Sequence, residues 1–224
     1  MNTELARFNM IEQQIRPWEV LDPTVLSLLA TVRREDFVPP PLRAMAFVDT
    51  QIPLVQGQPD GPHMLEPRVE ARLLQELQVQ RHEKALEIGT GSGFMAALLA
   101  HRAQQVHTLE CSPALASIAR ESLLRNGLLN VTVHAVDAAT GAGGWPAEAP
   151  FDVILLSGSV PAVPQALLEQ LKVGGRLAAI VGDEPVMRAR IYKRIGPATW
   201  SETDAFDTLA PRLEGFAEPS QFHF

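Results

Sequence analysis

Cysteine is almost absent from this 224-residue chain: Cys111 stands alone, which excludes an internal disulfide and fits a reducing, cytoplasmic setting. A surplus of basic charge is also missing. The formal net charge is −7, which argues against a protein that grips nucleic acid through its phosphates. The small basic clusters, Arg33-Arg34 and Arg188, Arg190, Lys193 and Arg194, are read as solvated faces. No apolar run approaches the length of about 18 residues that marks a membrane span, and the start Met1-Asn2-Thr3-Glu4 has neither the basic end nor the apolar middle of a signal peptide. The six histidines, at 63, 82, 101, 107, 134 and 223, include no i, i+4 pair, so no metal is expected.

What the chain does have is concentrated in Lys84 to Phe94, where an apolar strand runs into three alternating glycines and then a helix. Gly89, Gly91 and Gly93, with Ile88 and Thr90 among them, remove Cβ atoms where a backbone turns tightly beside a ligand. Glu87 lies just before the turn. A carboxylate there would repel a pyrophosphate but suits a cationic ligand such as S-adenosylmethionine. The competing dinucleotide reading rests on Gly91-x-Gly93-x-x-Ala96, a lone formal match.

Two further strands add acids at their ends. Gln105–Glu110 finishes in Glu110, placed to accept ribose hydroxyls, with Cys111 following it as a residue of the adenosine pocket or a buried thiol. Val131–Val136 leads to Asp137-Ala138, where Asp137 is an acceptor for an adenine amino group. Right-handed crossovers put Glu87, Glu110 and Asp137 on one edge of a doubly wound α/β sheet. A fourth strand covers Phe151–Ser157, a helix Pro164–Val173 with Leu167, Leu168 and Leu171 on one side, and a fifth strand Arg176–Val181 after Gly174-Gly175. Two more, Ala189–Ile195 and Trp200–Leu209, are expected to pair antiparallel at the far edge.

Residues 2–33 predict two helical pieces broken at Pro17, one with Phe8, Ile11 and Ile15 inward and one with Val25, Leu28, Leu29 and Val32. Prolines from Pro39 to Pro67 make that segment extended or looped, and Asp137 to Pro150, rich in Gly and Ala, reads as a loop. The apolar tail from Pro211, with Phe216, Phe222 and Phe224, is expected to fold back on the core or meet another subunit. The expected organisation is an N-terminal helical lobe with a substrate loop over 1–66, a cofactor domain over 67–210 and a tail over 211–224.

Four stretches together, Met10–Arg16, Val32–Pro40, Leu86–Phe94 and Pro164–Leu177, give a chain that resembles the protein-L-isoaspartate O-methyltransferases over nearly its first 180 residues. The resemblance implies a seven-stranded, mostly parallel methyltransferase sheet with an N-terminal helical lobe, S-adenosylmethionine as methyl donor, and isoaspartyl proteins or peptides as substrate, methylated on the free α-carboxylate. The match breaks at the substrate end. The family's serine, two residues before a proline, is Leu65 here, and Gln58–Pro62 is extra length beside it. Phe47 replaces the family's tyrosine before Asp49, and Val136-Asp137-Ala138 replaces a Gly-Asp-Gly turn. His63 is the candidate to replace the lost hydroxyl donor. The alternatives are a methyltransferase with another acceptor, a non-catalytic sensor of the cofactor or its demethylated product, and an NAD-dependent oxidoreductase.

Overall fold

The computed structural model describes residues 2–58 and 60–218. The first helix, α1 (Thr3–Met10), begins where the Asn2 side chain accepts the Leu5 N–H, and it runs on through a π turn, Ile11–Ile15, to a 3₁₀ turn at Arg16–Trp18. Ile11 and Ile15 are buried as expected. Phe8 is not: it is 60% exposed, and Arg7 takes the inward place one helical turn before Ile11, paired with Glu35. The second helix, α2 (Pro23–Thr31), is capped by Asp22 and buries Val25, Leu28 and Leu29, with Val32 after it.

The proline-rich stretch that follows forms a 3₁₀ segment, Pro40–Met45, and two short antiparallel strands, β1 (Ile52–Pro53) and β2 (His63–Met64). Arg34, expected at a solvated face, is instead 1% exposed. Its guanidinium pairs with Glu70 and donates to the carbonyls of Ala46 (3.1 Å) and Leu65 (2.8 Å), while stacking 5.0 Å above the Phe94 ring. A buried charge is tolerated only with such partners. They come from segments far apart in the chain, which is why a doublet of arginines gives no local sign of it.

Helix α3 (Pro67–Leu77) feeds the sheet, and the chain then alternates through β3 (Lys84–Ile88), α4 (Phe94–Arg102), β4 (Gln105–Glu110), α5 (Pro113–Arg125), β5 (Val131–Ala135) and α6 (Ala138–Gly143). The stretch expected as a loop after Asp137 thus contains a short helix, because the Asp137 side chain accepts the Thr140 N–H and caps it. Beyond it lie β6 (Phe151–Val160), α7 (Gln165–Glu169), β7 (Leu171–Asp183), β8 (Val186–Gly196) and β9 (Thr199–Asp207). Helix α7 stops well short of Val173. Leu171 pairs with Phe151 as the first residue of β7, and the ladder resumes at Arg176 opposite Val153 after a register shift across the two glycines.

The seven strands lie in the order β5-β4-β3-β6-β7-β8-β9, parallel from β5 to β7 and antiparallel from β7 to β9. The edge basic residues Arg188 and Arg190 pair across strands with Asp204 and Asp207 or Glu202 and Asp204. One apolar cluster joins the N-terminal helices, α3 and α4 to one sheet face; a second lies on the other face around Phe151, Leu156 and Leu177. The tail does fold back: the Ser159 N–H donates to the Pro211 carbonyl (2.7 Å), the Leu213 N–H to that of Ser159 (2.9 Å), and Phe216 is buried. Phe222 and Phe224 lie outside the described residues. Among the described residues no helix is long and apolar enough to cross a membrane.

Candidate active site

Strand order reverses between β3 and β6, and the crevice outside the carboxyl ends at such a reversal is the place where open α/β sheets hold ligands. A cavity of about 730 Å³ opens at this point, a volume suited to a nucleoside-sized ligand. Of the residues expected at a cofactor, Ile88, Gly89, Gly91, Glu110, Cys111 and Ala138 line it. Gly89 has φ +90°, a conformation that favours glycine, and a Cβ added to it would stand 2.7 Å from the end of the Leu213 side chain, which would have to shift.

Glu110 is the best-prepared group in the cavity. One carboxylate oxygen accepts the Gly91 N–H at 2.8 Å and the other the Ser112 N–H at 2.9 Å. A carboxylate has about four acceptor positions, so free lone pairs remain for a vicinal diol while the two backbone donors fix its orientation. Cys111 is an exposed thiol, not a buried one, and its neighbour Glu110 together with partial burial raises its pKa.

Glu87 sits apart from this cavity. It is fully buried, with its carboxyl oxygens 2.7 Å from Thr108 Oγ1 and from Ser157 Oγ, and Thr108 Oγ1 lies 2.6 Å from Thr90 Oγ1. Burial pushes its pKa up to about 8, against the two hydroxyl hydrogen bonds and with the help of Glu110 and Glu70. At pH 7 it is therefore mostly a neutral acid. The expectation of an open carboxylate facing a cation is corrected accordingly: β4, β6 and α3 enclose Glu87 from sides that its own strand does not reveal. Glu70, beside Arg34, is raised to about 7 by the same desolvation.

Two other expected residues are not brought to the cavity. Asp137 is exposed with its oxygens engaged by the Thr140 N–H and hydroxyl, which hold its pKa down; only its neighbours Val136 and Ala138 reach the lining. Gly93 turns the chain into α4 against Ala119. Thr90 and Glu87 line a second, narrow cleft of about 20 Å³ together with His63, Leu65, Ser92 and Ser157. His63 and Ser157 border both spaces, and the Nδ1–H of His63 donates to the Gly61 carbonyl at 2.7 Å. Sequence reasoning missed Ser157 and the wall formed by Leu209–Glu214. Ser157 carried a signal, being the polar end of the strand expected over Phe151–Ser157; the wall carried only the tail's apolar character.

Comparison with known proteins agrees with this geometry. A family model described as protein-L-isoaspartate(D-aspartate) O-methyltransferase matches residues 6–206. A protein-L-isoaspartate O-methyltransferase of Syntrophobacter fumaroxidans is 41% identical over 183 residues, 82% of each chain, and one of Rhodopseudomonas palustris is 37% identical over 94% of this chain and 95% of its own. Among solved structures, a protein-L-isoaspartate O-methyltransferase superimposes with a TM-score of 0.76 over 95% of this chain and 66% of its own, at 23% identity. A Plasmodium falciparum structure described as the same type of enzyme, in complex with S-adenosyl-L-homocysteine, gives 0.75 over 96% and 99%, at 16% identity. The two structures show that the fold is shared.

Proposed function

The chain belongs to the protein-L-isoaspartate(D-aspartate) O-methyltransferase family, and from that membership we propose that it methylates the free α-carboxylate of isoaspartyl residues in damaged proteins. It is an S-adenosylmethionine-dependent O-methyltransferase. The observation that carries the reading is Glu110, a carboxylate fixed by two backbone N–H groups at the mouth of a glycine-lined crevice. The cavity fits the donor in charge as well: Asp60, Glu110, Glu184 and Glu214 outnumber Arg212 on its walls, which favours a cation.

In this assignment Glu110 takes the ribose hydroxyls, Ile88, Gly89 and Gly91 lie against the ligand, and Cys111 and Ala138 flank the adenine side. Glu87, Thr90, Gly93 and Asp137 act from behind, by holding strand ends and turns in place. When bound, the donor supplies an electrophilic methyl on a positively charged sulfur. An acceptor carboxylate is already ionised near pH 7 and needs no base, so the residues facing it have to align it and exclude water. His63 stands on that side, between cavity and cleft, and the exposed Cys111 thiol suits a reducing cytoplasm.

The test uses two peptides that differ only in an isoaspartyl or an aspartyl linkage, incubated with donor carrying a labelled methyl. Base-labile label is expected in the isoaspartyl peptide alone. Label in neither peptide removes the proposed substrate; the buried Leu65 in the family's serine position favours another carboxylate acceptor as the reading to fall back on.

A further inference from the structure

The cleft beside Leu65 has lost the hydroxyl that the substrate loop would bring, and His63 already commits its Nδ1–H to the Gly61 carbonyl. One hydroxyl reaches this space from the opposite wall. Ser157, at the carboxyl end of β6, borders both the large cavity and the cleft, is half-buried, and has its Oγ 2.7 Å from Glu87. The other hydroxyls of the cleft are less available: Thr90 is tied to Thr108, and Ser92 Oγ accepts the Phe94 N–H at 3.3 Å.

We propose that Ser157 is the residue that donates a hydrogen bond to the acceptor's carboxylate, and that Glu87, buried 2.7 Å from Ser157 Oγ, is the positioning residue that frees the Ser157 proton to do so. The proposal rests on the isoaspartyl reading above and deepens it.

The contacts admit an arrangement of protons that frees the Ser157 hydrogen. With Glu87 neutral, Thr90 donates to Thr108, Thr108 to one oxygen of Glu87, and the acid's own proton on the other oxygen goes to Ser157 Oγ. Ser157 then accepts from Glu87, and its hydrogen is left to point into the cleft. With Glu87 ionised the same 2.7 Å contact reverses: Ser157 must donate to the carboxylate, and the acceptor loses its partner. The titratable and charged groups around Glu87 are Glu110 from β4, Glu70 from α3 with Arg34 paired to it, and, across the cleft, His63 from β2; β6 contributes only Ser157. Both neighbouring acids favour the neutral form. The expected sign of the pH effect follows: on the alkaline side kcat/KM declines as pH rises through the Glu87 pKa of about 8.

Three proteins decide the matter: wild type, Ser157→Ala and Glu87→Gln, each measured for kcat/KM on an isoaspartyl peptide across pH and, separately, for peptide affinity with S-adenosylhomocysteine bound. Loss of one hydrogen bond to a charged group is expected to lower kcat/KM of Ser157→Ala by about 10- to 100-fold. Peptide affinity in the dead-end complex falls with it, while binding of S-adenosylhomocysteine by itself stays near that of wild type. Glu87→Gln, whose amide donates to Ser157 at every pH, is expected to lose the alkaline decline in kcat/KM. Wild-type turnover matched by Ser157→Ala, or an alkaline decline that persists in Glu87→Gln, overturns the proposal and leaves the isoaspartyl reading standing. A wild-type enzyme with no turnover on the peptide removes both.

Discussion

At the scale of single residues, strand-end acids do different work according to what surrounds them. Glu110 is held by the N–H groups of Gly91 and Ser112 and faces the cavity; Glu87, on the preceding strand, is sealed away from it as a neutral acid. That both lie at the ends of parallel strands is legible from the sequence. Their division of labour is not, because burial of Glu87 depends on Thr108, Ser157 and Glu70, which converge only in the fold. Replacing Glu110 by Ala removes charge-assisted bonds to a ribose diol, and calorimetry is expected to show S-adenosylhomocysteine binding weaker by about 10- to 100-fold. Unchanged affinity would mean that the diol lies elsewhere.

Among elements, the regular αβ alternation from Lys84 to Val181 is readable because each buried strand is an apolar run and each turn is marked by glycine or a cap. Errors fall where a long-range partner decides. Leu171 reads as the third apolar position of a helix and becomes a strand residue because Phe151 offers it a ladder partner, and Phe8 turns outward where Arg7 finds Glu35. The return of Pro211–Leu213 along β6 is a similar case: Ser159 supplies the hydrogen bonds, and Leu213 closes over Gly89. Gly89→Ala should weaken S-adenosylhomocysteine binding roughly 5- to 150-fold, the span of about 1–3 kcal/mol of backbone strain. Adding Leu213→Ala removes the clash but not the φ of +90°, so only part of the affinity should return. Full recovery in the double variant would show that space alone forbids a side chain there.

For the molecule as a whole, the lobe before residue 67 and the sheet share one apolar cluster: Ile15, Leu29 and Phe47 belong to the same body of side chains as Leu98, Val106 and Ile180. Arg34 ties the two again by pairing with Glu70 while holding the Leu65 carbonyl. A single calorimetric unfolding transition is expected, and two separated transitions would contradict a shared core. The sequence divides this body at residue 66 because composition and proline content change there, whereas packing ignores the change.

The central claim is that the crevice between β3 and β6 holds the methyl donor with its reactive end toward Ser157 and His63. A crystal structure with S-adenosylhomocysteine tests it most directly. Expected are both ribose hydroxyls on Glu110, adenine beside Cys111 and Ala138, and the sulfur directed at the cleft bounded by Leu65. A ligand bound with its sulfur away from that cleft, or a crevice left empty at saturating ligand, would contradict it.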